Sequence, residues 1–428
     1  MCYFAPMELF SAAWVLPLNH TEVIRNGALV IDGDKIVAVG AADLLKKQHP
    51  QAPCRDFPDA VILPGLVNAH CHLDRTGFYE RYTVETDTGL SSVAWFLEGL
   101  HYLSKTSSGV VAKKMEQALK QMMSLGITCI GAMVHYEGAF PILKSSPMRG
   151  VIFQEILSGP DRQAQQRFEV ALALIEQYMD AKPGHLKIGF GPFSAYVLSK
   201  NLLNIISKHA KDAHLPLQIH AAETFSEMEF FFESKGLIAT QLFPAIGWEE
   251  LPPAHRKTPV QHLEDIGFFA TPLSIVGGYH LSASDFPRLA RGLARVVYAP
   301  SANRRFKLGS LPLKQLMEHG IPVGLGTEIL SNTEGFDLWD EMRMALKEGS
   351  SPLPSPMDLL KMATSGGAFA LGFENEIGSL AAGKKADFIV VRKPDCETDS
   401  PDELCREIIL QTQPSCVQNV YIAGASVV

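Results

Sequence analysis

The clearest structural signal in the sequence is the stretch Asn68-Ala69-His70-Cys71-His72-Leu73-Asp74, which directly follows the apolar run Val61-Ile62-Leu63-Pro64-Gly65-Leu66-Val67. A short apolar run of this kind is typical of a buried β-strand. Side chains alternate between the two faces of a strand, so His70 and His72 point to one side and Cys71 to the other. Two imidazoles at this spacing are able to share one divalent metal ion. Neighbouring histidines also occur in ordinary polar loops, so the rest of the chain has to decide between the two interpretations.

The middle of the chain alternates between apolar segments with strand character and segments with helical periodicity, for example 164–179 and 202–213. Beyond the His-x-His strand, the pattern predicts strands at 126–131, 150–156, 186–190, 216–220, 273–276, 295–299 and 322–326. Eight strands with helical connections over about 300 residues predict a (β/α)8 TIM barrel, which we expect to span residues 64–368.

Both ends of the chain are rich in strand patterns. Residues 27–40 form two short apolar segments around an Asp-Gly-Asp turn, which predicts a hairpin. Near the other end, residues 386–391 and 417–424 also have strand character. We therefore expect a small composite β-sandwich domain built from residues 1–63 and 369–428.

Residues able to carry chemistry fall at the predicted strand ends, where TIM barrels place their active sites. His220 ends one strand, Glu328 follows the last strand, and His280 follows the sixth. Glu223 lies three residues beyond His220, where a carboxylate is able to take a proton from water and give one to a leaving amine. The alternative interpretation of Glu223 is a residue that opens a helix, since a carboxylate is stabilised at the positive end of the helix dipole.

The bulk composition restricts the classes of partner. The 428 residues carry a formal net charge of −8, so no basic field is available for nucleic acid. The seven cysteines are scattered without a Cys-x-x-Cys pair, which favours a reducing cytosol. The apolar runs are far shorter than the 18 or more residues that span a bilayer. We expect a cytoplasmic protein that acts on a small molecule and has neither nucleic acid nor membrane as partner. A homodimer is compatible with the sequence.

Nearly the whole chain resembles the amidohydrolase superfamily, in its chlorohydrolase and purine-type deaminase branch. The resemblance rests on the following stretches: the strand patterns of 27–40, PGLVNAHCHLD at 64–74, HAAE at 220–223, PSANRRFKLGSLPL at 300–313, GLGTEILSN at 324–332 and GSLAAGKKADFIVV at 378–391.

The resemblance implies a function and roles for individual residues. His70, His72, His220 and Glu328 would hold one divalent ion, Zn or Fe, and Glu223 would move protons above the substrate. The implied reaction is deamination of an amino-purine nucleoside-like small molecule by metal-activated water. The FQEIL pattern at 153–157 resembles the corresponding segment of the aminodeoxyfutalosine deaminases of this branch.

Three positions depart from the family pattern. The family has Asp where this chain has Glu328, and His where it has Gly277 and Phe193. His280, three residues beyond Gly277, is a candidate for the lost catalytic group, although a histidine there is also typical of the protein surface. Two hypotheses follow: a hydrolase with a rebuilt site, or a catalytically silent barrel that binds a ligand or partner. We favour the hydrolase, because the remaining metal-type side chains would otherwise have little use.

Overall fold

The structure is a computed structural model that describes residues 7–19, 23–79, 91–157, 161–181, 184–328, 335–347, 354–396 and 398–428. Residues 329–332, the end of the GLGTEILSN stretch, lie outside the described residues. The strands are β1 Glu8–Val15, β2 Ile24–Asp32, β3 Lys35–Ala41, β4 Cys54–Pro64, β5 Leu66–Cys71, β6 Ile127–Val134, β7 Arg149–Ile156, β8 Leu186–Pro192, β9 Leu217–Ala221, β10 Leu273–Gly277, β11 Arg295–Tyr298, β12 Val323–Leu325, β13 Phe388–Arg392, β14 Val417–Ile422 and β15 Ala425–Ser426.

Helices connect most of these strands. The α-helices of the described residues are α1 Ala42–Gln48, α2 Thr76–Tyr79, α3 Ser92–Lys105, α4 Ser108–Ser124, α5 Ala139–Ser145, α6 Asp161–Ala181, α7 Lys200–Asp212, α8 Phe225–Glu233, α9 Phe243–Ala245, α10 Pro259–Asp265, α11 Asp285–Arg291, α12 Pro300–Phe306, α13 Leu313–Glu318, α14 Leu338–Lys347, α15 Pro356–Lys361, α16 Gly367–Ala370 and α17 Pro401–Gln411. Within the described part of the chain, no helix combines the length and the apolar character needed to cross a membrane.

Strands β5 to β12 form one parallel sheet in which each strand pairs with its neighbours in the sequence. The two edges of this sheet also meet, because Cys71 of β5 forms a parallel bridge with Glu328, which follows β12. Helices lie between successive strands, for example α6 between β7 and β8. The predicted (β/α)8 barrel is therefore confirmed.

A second sheet is built from both ends of the chain, in the order β15-β14-β13-β4-β1-β2-β3. Strand β1 runs parallel to β4, and the other neighbours are antiparallel. The predicted hairpin is present as β2 and β3, with Gly33 at a φ of +59° in the turn. The expectation of a β-structure assembled from both termini is confirmed, and the residue limits 1–63, 64–368 and 369–428 stay a prediction.

The barrel is anchored to this terminal sheet at the start of its first strand. Gly65 separates β4 from β5, and its N–H donates to the carbonyl of Asp387 over 3.0 Å. A Cβ at Gly65 would lie 2.2 Å from Thr128 Oγ1, so only glycine fits this crossing. Nearby, the guanidinium of Arg149 donates to both carboxylate oxygens of Asp387 over 2.8 and 3.2 Å. Both side chains of this ion pair are buried.

We predict that Arg149→Met lowers the free energy of unfolding by about 3–5 kcal/mol, because it leaves the Asp387 carboxylate buried without its cation. Guanidinium chloride unfolding followed by circular dichroism measures the change. Lys257→Met serves as control, since it removes the exposed ion pair with Asp265 and such pairs contribute only about 0–1 kcal/mol. Equal midpoints for the two variants would contradict the prediction.

Candidate active site

Four of the residues singled out by sequence meet at one end of the barrel. His70, His72, His220 and Glu328 each offer a ligand atom, and these atoms all lie within 4.8 Å of one another. One Glu328 oxygen is 2.6 Å from His70 Nε2 and 3.0 Å from His220 Nε2, and the other is 3.3 Å from His72 Nε2. The three histidines are buried. Burial alone would raise the pKa of Glu328, but the three imidazoles hold it well below the ordinary range.

Backbone hydrogen bonds place the Glu328 carboxylate in this cluster. The N–H groups of Thr327 and Glu328 both donate to the carbonyl of His70, over 2.9 and 3.2 Å. The Asn68 side chain donates to Thr327 Oγ1 over 2.9 Å and accepts from the Thr327 N–H over 3.2 Å. The φ of Glu328 is +54°, a backbone conformation that residues other than glycine rarely adopt. The end of β12 is therefore fixed to β5, and the carboxylate points toward the histidines.

His70 is oriented by a residue that sequence reasoning missed. Its Nδ1 lies 2.6 Å from Gln218 Oε1, and the Gln218 amide in turn donates to the carbonyl of Ala69 over 3.0 Å. Because an amide oxygen only accepts, Nδ1 carries the proton and Nε2 keeps its lone pair for the cluster. The sequence signal that could have identified Gln218 is its spacing, since it precedes His220 by two residues and therefore lies on the same face of β9.

His72 has a different environment, made by two further residues that the sequence did not assign. Nη1 of Arg75 lies 2.5 Å from His72 Nδ1, and Nη2 of Arg75 donates to Glu155 Oε2 over 2.6 Å. All three side chains are buried. Burial would raise the pKa of Glu155, but the adjacent Arg75 lowers it to about 2. A permanently ionised pair therefore stands directly behind one histidine of the cluster.

Glu223 lines the same cavity as His72, His220 and Glu328 of the cluster. Its backbone N–H donates to Glu227 Oε2 over 2.8 Å, which ties the loop after β9 to the first turn of α8. Burial, together with the nearby carboxylates of Glu328 and Glu227, raises the pKa of Glu223 to about 8 against the opposing effect of His220. The carboxyl group therefore keeps a proton at neutral pH and is able to donate it.

Gly277 ends β10, and His280 lies in the loop that follows this strand. The φ of Gly277 is +99°, and a Cβ there would lie 2.8 Å from Glu223 Cβ, so a larger residue would displace Glu223. His280 is tied to the loop after β9 through its N–H, which donates to the carbonyl of Ala222 over 2.9 Å. Its side chain belongs neither to the group of four nor to the described lining of the cavity. A catalytic role for His280 therefore stays a prediction.

The cavity above the cluster has mainly aromatic and aliphatic walls. Its aromatic lining includes Phe78, Trp95, Phe96, Phe193, Tyr196 and Phe306. Phe193 stacks face to face on Phe96, with centroids 3.9 Å apart, and its ring lies 5.7 Å from that of His220. A cavity of this kind suits a flat heteroaromatic ligand whose polar atoms face the cluster.

The donor set of the cluster fits a divalent transition metal ion. Imidazole nitrogens with one carboxylate are ligands of zinc and iron sites in proteins. Two observations on the described residues support this use. All three Nε2 atoms face the same carboxylate, and the Gln218 contact leaves the His70 Nε2 lone pair toward the cluster.

Comparison with known proteins places these features in a family. Residues 61–427 match the model of the amidohydrolase family, and residues 27–52 match the imidazolonepropionase-like composite domain of bacteria. The chain is 26% identical to 5-methylthioadenosine/S-adenosylhomocysteine deaminase of Teredinibacter turnerae, over 97% of this chain and 91% of that protein. It is 28% identical to 5'-deoxyadenosine deaminase of Methanobrevibacter smithii, over 88% of this chain and 81% of that protein.

Solved structures show the same fold at lower sequence identity. Helicobacter pylori aminofutalosine deaminase in complex with methylthio-coformycin superposes with a TM-score of 0.84 and 23% identity, over 98% of this chain and 100% of that chain. A Xanthomonas campestris adenosine deaminase with bound zinc gives a TM-score of 0.82 and 22% identity, over 98% of this chain and 92% of that chain.

We predict that Glu328→Asp weakens metal binding, although it restores the residue type expected from the family resemblance. The backbone of Glu328 is held to His70, so a shorter side chain withdraws the carboxylate by about one C–C bond, ~1.5 Å. Misplacement on this scale costs on the order of 10²-fold in activity. Chelator competition measures the metal Kd of both proteins, and equal or tighter binding by the variant would show that the backbone adapts.

Proposed function

This chain belongs to the amidohydrolase family, and on this premise we propose that it is a metal-dependent aminohydrolase that deaminates an adenine-type nucleoside. In this reaction the oxygen of water adds to the ring carbon that carries the amino group, the carbon–nitrogen bond breaks, and ammonia leaves. The observation that carries the proposal is the convergence of three imidazole nitrogens and one carboxylate at a cavity with mainly apolar walls.

In this proposal His70, His72, His220 and Glu328 hold the ion. A divalent ion there supplies Lewis acidity, which makes water acidic enough to act as a nucleophile near neutral pH. The chain's own groups supply the remaining requirements: they position the substrate, exclude bulk water and move protons.

Glu223 is the proposed proton carrier. It lines the cavity together with His220 and Glu328, and its raised pKa lets it hold a proton at neutral pH. Deamination requires one group that takes a proton from water and delivers protons to the ring nitrogen and the leaving amine. Glu227 keeps this carboxyl in place by accepting a hydrogen bond from the Glu223 backbone.

The proposed substrate class is an adenine nucleoside altered at its 5' position. The relatives that cover most of this chain act, by name, on 5-methylthioadenosine, S-adenosylhomocysteine or 5'-deoxyadenosine. The stacked rings of Phe96 and Phe193 offer an apolar surface to a flat base. Aminodeoxyfutalosine belongs to the same chemical class and is included as a candidate substrate.

Further proposals concern the surroundings of this chemistry. We propose zinc or iron as the ion, because histidine-rich sites with one carboxylate suit both. We also propose a cytoplasmic location, a small-molecule substrate rather than nucleic acid, and a homodimer as an admissible assembly. Glu328 and His280 are retained as proposed catalytic groups beside Glu223.

The first experiment measures metal content and ammonia release on the same preparation. We expect about one zinc or iron per chain in protein purified without chelator. We also expect ammonia from at least one of adenosine, 5'-methylthioadenosine, 5'-deoxyadenosine, S-adenosylhomocysteine and aminodeoxyfutalosine, and loss of that activity on chelation. A folded, metal-loaded protein that releases no ammonia from these compounds would favour the silent, ligand-binding barrel instead.

A second prediction concerns Glu223. Glu223→Gln keeps the size of the side chain and removes its acid–base function, so turnover should fall by a factor of order 10²–10⁴ while metal content stays unchanged. Steady-state ammonia release and elemental analysis give the two numbers. A Gln variant with wild-type turnover would show that another group moves the protons.

A further inference from the structure

The contacts of His72 in this structure differ from those that a metal ligand needs. A guanidinium has only donors, so when Arg75 Nη1 lies 2.5 Å from His72 Nδ1, that nitrogen is the acceptor. The proton of the neutral imidazole is then on Nε2, the atom that faces Glu328. An Nε2 that carries a proton has no lone pair for a metal ion. To bind through Nε2, the His72 ring must move its proton to Nδ1 and find an acceptor for it.

One acceptor is in place. Oε1 of Glu155 is buried and has no hydrogen-bond partner among the described residues. It lies 3.9 Å from His72 Nδ1. The other oxygen of the same carboxylate is held by Arg75 over 2.6 Å. A shift of about 1 Å would bring Nδ1 and Oε1 to hydrogen-bond distance.

We propose that Glu155 is the positioning residue that fixes His72 in its metal-binding tautomer, with Arg75 holding the carboxylate in place. The Nδ1 atom of His72 exchanges its contact with Arg75 for a hydrogen bond to Glu155 when Nε2 binds the ion. Metal-binding histidines generally donate their second ring N–H to a carboxylate, carbonyl or water, which sets the tautomer and orientation of the ring. His70 has such an acceptor in Gln218, and Glu155 gives His72 the equivalent.

The proposed hydrogen bond would also complete the pairing of a buried carboxylate. Glu155 is fully buried at the end of β7, where a carboxylate is unfavourable unless it is paired. Arg75 satisfies one oxygen, and the proposed hydrogen bond satisfies the other. It rests on the metal site of the proposed function and is independent of the substrate.

The main test is Glu155→Gln, with the zinc Kd of the metal-free protein measured by competition with a chromogenic chelator. The single amide oxygen is claimed by the charged donor Arg75, which turns the NH2 group toward His72 Nδ1 and opposes the metal-binding tautomer. We expect Kd to rise by about 10–100-fold, the usual effect of losing such a partner. The absorption spectrum of the cobalt-loaded protein should change as well, because the orientation of one ligand changes.

Glu341→Gln is the matched control. Glu341 is also buried and accepts hydrogen bonds from the N–H and hydroxyl of Ser301, and it is not one of the four residues of the cluster. Its amide variant should leave the zinc Kd and the cobalt spectrum unchanged. The control separates the specific effect of Glu155 from the general effect of replacing a buried carboxylate.

A second variant guards against loss of folding, because Glu155→Gln leaves the Arg75 charge unpaired. The double variant Arg75→Met/Glu155→Leu removes both charges, and apolar replacement of a buried ion pair is often neutral or stabilising. We expect the thermal midpoint of its metal-free form to stay near the wild-type value while zinc binding weakens by about 10–100-fold.

The possible results are distinct. Wild-type zinc affinity in either Glu155 variant would overturn the inference and leave the proposed function standing. A wild-type protein that binds no zinc, iron or cobalt would overturn the metal-dependent function and the inference with it.

Discussion

Two backbone hydrogen bonds to the carbonyl of His70 close the barrel, and the geometry of the site depends on them. They come from Thr327 and Glu328, at the end of the last barrel strand, and the Asn68 side chain reinforces them. The same short segment provides both the closure and the carboxylate, so the hydrogen bonds that close the barrel also fix the backbone from which the Glu328 side chain extends. The backbone position of this proposed metal ligand is therefore set by the fold itself.

Three buried or half-buried carboxylates lie in or beside the cluster of histidines, and their surroundings give them different charge states. Arg75 keeps Glu155 ionised, and the imidazoles of the cluster do the same for Glu328. For Glu223, burial and the nearby carboxylates of Glu328 and Glu227 outweigh the opposing effect of His220 and raise the pKa to about 8. Only a carboxyl group of the third kind is able to exchange protons near neutral pH, which is the division of roles that aminohydrolysis requires.

The departures from the family pattern are structurally connected to the groups that remain. Gly277 leaves space that Glu223 fills, since a Cβ there would collide with the Glu223 side chain. Phe193 stacks on Phe96 in the wall of the cavity. These contacts are expected of a site that was rebuilt around its remaining residues. Restoring a histidine at position 277 alone would displace the proposed proton carrier.

The sequence alone was enough to predict the barrel and to select the three histidines as candidate ligands, because strand periodicity is a local property. His70 and His72 share a face through their spacing of two, and His220 lies at the end of another apolar strand. Only the tertiary structure decided which side chains from other strands lie beside the Nδ1 atoms of these histidines. Gln218 and Glu155 approach His70 and His72 from other strands, and their contacts depend on strand order and register, which periodicity does not encode. Local pattern specifies which face a side chain occupies, and only the packed barrel specifies what that face meets.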